Sequence, residues 1–184
     1  MSQAVDMDRL ILPVGERDHR QGSKEAVVTL VEYGDYQSPN CGRAHVIVQE
    51  IQRQLTGQLC FVFRHFPQPQ LHTQAQKAAE VAEAAAAQGK FWEMHDILFN
   101  HQHALGNGYL VEYVINLGLN VTQVLRELAD HIHDERVQED FESGTRSGVT
   151  QTPAFFINGV RHNSNWDRTG LLAAIVASGR LGNF

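Results

Sequence analysis

Residues 27–41 read Val27-Val28-Thr29-Leu30-Val31-Glu32-Tyr33-Gly34-Asp35-Tyr36-Gln37-Ser38-Pro39-Asn40-Cys41. The first seven are rich in β-branched residues and apolar on both faces, which suits a central parallel strand covered on both sides. Gly34 to Gln37 reads as a loop. Ser38 is a favoured N-cap residue and Pro39 a favoured first helical residue. A helix is therefore expected from Pro39, with Ala44, Ile47, Val48, Ile51 and Leu55 on a 3.6-residue stripe and Gly57 as its stop. A strand that turns into a helix through C-x-x-C marks a dithiol redox site. Here the spacing, the proline and the second cysteine are present, and serine stands first.

Outward from this stretch, Leu59 to Phe66 reads as a second buried strand ended by Pro67 and Pro69, completing a βαβ unit with parallel strands. Helical patterns then follow over 73–88, 91–104, 109–117, 121–131 and 134–147, punctuated by Gly89, Gly118 and Gly148. The period changes at Ala154-Phe155-Phe156-Ile157, a strand, and Asn158-Gly159 is a type I′ hairpin signal leading to Val160-Arg161-His162. Residues 168–178 close the chain as an amphipathic helix. The expected architecture is α/β, a thioredoxin-like sheet with an inserted helical domain. Its expected division is 1–66 with 149–184 in the sheet domain, and 67–148 in the insertion.

The chain has 184 residues and a net charge of −6. One globular domain with an insertion fits that length. The negative balance and the lack of a Lys/Arg run argue against nucleic acid as a partner. Leu10-Ile11-Leu12 is too short an apolar run for a signal segment or a membrane span, so a cytoplasmic protein without membrane contact is expected. The ten histidines include Cys41/His45 at i, i+4 and the pairs His101/His103 and His131/His133. None makes a four-ligand zinc set, so surface histidines and no metal are expected.

The stretches at 28–45, F-V-F-R-H-F-P (61–67), A-A-A-A-Q-G-K-F-W-E-M-H-D (84–96) and T-P-A-F-F-I-N-G-V (152–160) resemble the DsbA family of disulfide oxidoreductases, in its short cytosolic bacterial branch. That family carries C-P-Y-C where this chain has S-P-N-C, so Pro39 and Asn40 are motif positions and Asn40 replaces an aromatic. The resemblance puts Ser38 at the attacking cysteine and Cys41 at the resolving one. It implies that Glu32 is the buried acid that moves protons to the resolving thiol, and that Thr152-Pro153 is the cis-proline segment facing the redox pair. Tyr36 and Gln37 become candidates for lining a substrate groove. Implied partners are protein or peptide thiols and disulfides, with glutathione as a candidate co-substrate.

Each of these positions also has a plainer reading. Ser38 reads equally as a simple N-cap. Kappa-class glutathione transferases resemble this arrangement too, with a serine hydroxyl orienting a thiolate. Cys41 is either a small core residue or a monothiol. Cys60, in the second strand, reads as core. Glu32 is either a buried acid, costly unless paired or protonated, or a strand-edge carboxylate in water. Thr152-Pro153 reads otherwise as a rigid trans turn. Three functions follow: one-thiol chemistry at Cys41, redox-inactive peptide binding, or glutathione-dependent transfer at Ser38. A serine hydroxyl cannot form a mixed disulfide, so dithiol cycling is not expected from any of them.

Overall fold

The structure is a computed structural model that describes residues 8–179. In chain order its elements are β1 (His19–Gln21), β2 (Val28–Gly34), α1 (Pro39–Gln54), β3 (Leu59–His65), α2 (Ala75–Ala86), α3 (Phe91–Asn100), α4 (Asn107–Asn116), α5 (Val121–Ala129), α6 (Asp134–Arg146), β4 (Ala154–Ile157), β5 (Val160–Arg161) and α7 (Arg168–Gly179). The chain divides into two compact units. One holds the residues up to Tyr33, Arg43–Arg64 and the residues from Glu142 onward; the other holds Gly34–Gly42 and His65–Phe141.

The first unit is built on a five-stranded sheet of order β1-β3-β2-β4-β5. At one end of the β2–β3 pair, Val28 N donates to Gln58 O; at the other, Phe66 N donates to Gly34 O. Both strands therefore run the same way, the parallel pair that two nearly continuous apolar runs demand. β4 runs antiparallel to β2, with Glu32 opposite Phe155 and Tyr33 opposite Ala154. β5 returns along β4 through Asn158 and Gly159, both at positive φ (49° and 78°), as a type I′ turn requires. On α1 the buried stripe is Ala44, Val48, Ile51 and Leu55, while Ile47 is half-buried and His45 is enclosed instead.

Sequence reading missed β1. His19-Arg20-Gln21 is short and polar, with no apolar alternation to betray it. It pairs antiparallel with β3 as an edge strand, where half-exposed polar side chains are tolerated. The segment before it is tied down by a buried arginine. Arg64 is fully enclosed and donates to both carboxylate oxygens of Asp18 (2.8 and 3.0 Å), to Leu12 O (2.9 Å) and to the Tyr33 hydroxyl (2.9 Å). Burial is the largest single influence and would lower its pKa, but the hydrogen bonds and charge interactions with Asp18 and Tyr33 together outweigh it and hold Arg64 above its ordinary value.

The second unit is helical. α2 presents buried Ala75, Ala78, Ala79, Ala82 and Ala85, and small side chains allow close approach of the helices packed on it, α3 and α5 among them. The expectation of surface histidines is corrected here and on α1. His45, His65 and His95 are 4%, 1% and 2% exposed. His65 Nε2 lies 2.7 Å from the buried Glu83 carboxylate, and His95 Nδ1 lies 3.0 Å from the Tyr36 hydroxyl. Composition does not reveal this, because a histidine with a buried partner and one in water look alike in sequence.

Candidate functional site

Residues 34–42 form one ordered piece. Ser38 Oγ accepts a hydrogen bond from Cys41 N at 3.4 Å, the N-cap arrangement, in a loose form. Ser38 is 4% exposed and Cys41 is fully buried, while Pro39 and Asn40 between them are exposed. The Cys41 sulfur accepts from Asp35 N at 3.5 Å. A backbone N–H aimed at sulfur favours negative charge there, and the full enclosure of the side chain works against it. Cys60 is also a free thiol and buried, and burial pushes its pKa up.

The segment owes its shape to residues that sequence reading passed over. Asp35 is 1% exposed. One of its oxygens accepts from Gln37 N at 2.8 Å, an Asx turn; the other accepts from Gln68 N at 3.0 Å and from His72 Nδ1 at 2.9 Å. The local turn was legible in Asp35-Tyr36-Gln37, but the two distant donors were not. The Tyr36 ring is enclosed against His95, Phe99 and His65. The Gln37 side chain accepts from Gln74 N at 2.7 Å, and so caps the start of α2.

Gln102 closes the segment from outside. Its amide donates to Tyr36 O (2.8 Å) and Ser38 O (2.7 Å), and its Oε1 lies against Gly42. A methyl group at residue 42 would meet that oxygen at 2.1 Å. Alanine is the better helix former by about 1 kcal/mol. The clash is expected to win, since it displaces the amide and leaves two carbonyls without their donor. Gly42→Ala should therefore destabilise by about 1–3 kcal/mol in urea denaturation. Combined with Gln102→Ala it should cost little more than either change alone. A neutral or stabilising Gly42→Ala would refute the clamp.

Glu32 sits in β2 at 1% exposure, which removes the alternative of a carboxylate in water at a strand edge. Its Oε1 finds no hydrogen-bond partner among the described residues. Burial pushes its pKa up to about 8, so it is largely protonated at neutral pH. On α1, burial lowers His45 to about 4 and keeps that ring neutral. The Thr152–Pro153 peptide bond is cis. Register places Thr152 and Pro153 just before Ala154, at the end of β4 that meets the C-terminal end of β2.

The thioredoxin family profile matches residues 15–177. The Na(+)/H(+) antiporter NhaA 1 of Salinispora arenicola is 42% identical over 170 residues, which is 92% of this chain and 26% of the antiporter. The chain thus spans about a quarter of the length of the curated relatives it matches. Among the described residues no helix is long and apolar enough to cross a membrane. Among solved structures, oxidised BdbD from Bacillus subtilis superimposes with a TM-score of 0.83 at 21% identity, over 97% of this chain and 100% of that one. Wolbachia pipientis alpha-DsbA1 gives 0.76 at 20% identity, over 94% and 96%. With the profile covering most of its length and these folds overlapping nearly all of it, the chain belongs to the thioredoxin family and has a DsbA-like thioredoxin fold.

Proposed function

We propose that this protein is a thiol–disulfide oxidoreductase type that has given up the dithiol cycle and exchanges with protein or glutathione disulfides through one sulfur, Cys41. The observation that carries this reading is the hydrogen bond from Asp35 N to Cys41 Sγ. It gives the Cys41 sulfur a backbone donor, while the pKa of Cys60 is raised by burial. Ser38 supplies an oxygen that caps the helix and no sulfur that attacks a disulfide. A capping hydroxyl keeps its own O–H free to donate, so a Ser38-dependent transferase is told apart by glutathione binding that is lost in Ser38→Ala. Exchange at Cys41 breaks one glutathione disulfide bond and forms one to Cys41, releasing a glutathione thiolate that takes up a proton.

Intact-mass spectrometry after incubation with oxidised glutathione tests this. One adduct is expected, located at Cys41 and absent from Cys41→Ala, with no insulin reduction above the uncatalysed rate. It should form slowly, because Cys41 is fully enclosed and residues 34–42 must open first. That same enclosure favours the second reading, a redox-silent protein that binds polypeptides. In that case no adduct forms under native conditions, and peptide affinity is unchanged in Cys41→Ala. The occurrence of this stretch within longer antiporter chains fits a module that works beside other polypeptides on either reading.

A further inference from the structure

The helical unit contains a cavity of about 200 Å³ walled by α2, α4 and α5. Its wall is aliphatic, with Val81, Leu110, Val114, Val124, Leu125 and Leu128 among the lining residues. Only two polar side chains join them, Lys77 and Asn107. α5 is strongly amphipathic, yet Val124 is its one buried residue and Leu125 is 47% exposed at the rim. An apolar helix face is thus left facing a space that the protein itself does not fill. Lys77 is half-buried, and no acidic partner for it is found among the described residues. A lysine lining an apolar cavity can lay its stem along the wall and offer its ammonium to an anionic head group.

We propose that this cavity binds a small hydrophobic monocarboxylate, with the apolar body between α2, α4 and α5 and the carboxylate on Lys77. Asn107 offers an amide donor as a second contact. Size limits the ligand: a dry cavity of about 150 Å³ takes up benzene, so this one admits an aromatic ring or a medium aliphatic chain. Charge sets its sign, since Lys77 is the only ionisable group in the lining. The site is independent of the thiol reading, and Cys41→Ala should leave it unchanged.

The test uses sodium octanoate and its charge-inverted counterpart octylamine, both below micellar concentration, followed by calorimetry and amide chemical shifts on the full chain. Octanoate is expected to bind saturably with shifts confined to α2, α4 and α5, and octylamine at least tenfold more weakly. Lys77→Met keeps the apolar stem and should lower octanoate affinity about tenfold. Leu125→Trp enlarges an exposed rim residue, so the fold is preserved while the cavity fills, and binding should fall by about tenfold or more. Equal affinity for the two probes overturns the proposal, as does the absence of saturable shifts or indifference to Leu125→Trp. A concentration-dependent dimer that buries Leu125 would also overturn it, by making a second copy the occupant.

Discussion

Ser38→Cys is expected to reduce insulin roughly a hundredfold faster than its parent. The argument rests on the first turn of α1. Position 38 is the N-cap, so a sulfur placed there meets the same backbone N–H that Ser38 Oγ now accepts, and the positive end of the helix. Those influences lower a thiol pKa, whereas a serine hydroxyl stays protonated under them. Cys41 lies three residues on, and its sulfur already receives the Asp35 N–H.

Diamide oxidation should remove two free thiols from Ser38→Cys and leave one disulfide between residues 38 and 41. Circular dichroism on both proteins guards against a folding artefact. If the folded variant keeps both thiols under diamide, the segment 34–42 no longer has redox-competent geometry. If the disulfide forms and insulin turnover does not follow, substrate recognition has been lost as well as the sulfur.

The second large effect is a pH dependence of stability centred on Glu32. Burial raises its folded pKa to about 8, from an ordinary value of 4.5. Below about pH 4.5 the carboxyl is protonated in both folded and unfolded chains and costs nothing. As pH rises, the unfolded chain ionises first, so folding increasingly carries the cost of keeping this proton, until the folded group titrates near pH 8. Wild-type protein should therefore lose on the order of 4 kcal/mol from this group between pH 4.5 and 8. Glu32→Gln should remove that slope.

His45 acts with the opposite sign. Its folded pKa is lowered to about 4 by burial, so its contribution is present above about 6.5 and is lost as pH falls toward 4. The clean measurement is thus the difference between wild type and Glu32→Gln in urea midpoints at pH 5 and pH 8. The variant should gain relative stability at the higher pH. Parallel pH profiles would mean that Glu32 is not a neutral buried acid. A carboxyl held this way has no stabilising role of its own at neutral pH.

Much of the fold was legible in the chain because its signals are local. The β-branched run 28–33, the Ser38-Pro39 helix start, the alanine face of α2 and the Asn158-Gly159 turn each specify their own conformation through neighbours a few residues away. Ser38 as N-cap followed from residue type alone, whereas residue type and period left Glu32 open between a buried acid and a strand-edge carboxylate. Missed were β1, whose polar edge carries no pattern, and the buried state of His45, His65 and His95.

The sequence by itself determined every element but the polar edge strand β1, and placed serine at the first position of the C-x-x-C spacing. Tertiary structure alone decided how the segment around that position is held. Asp35 takes a donor from His72, 37 residues away, and Gln102 reaches Ser38 O across 64 residues. Likewise Arg64 finds Asp18 across 46. Polar side chains of these types are solvated by default, and only the closing of distant chain segments removes the water and makes a particular partner obligatory.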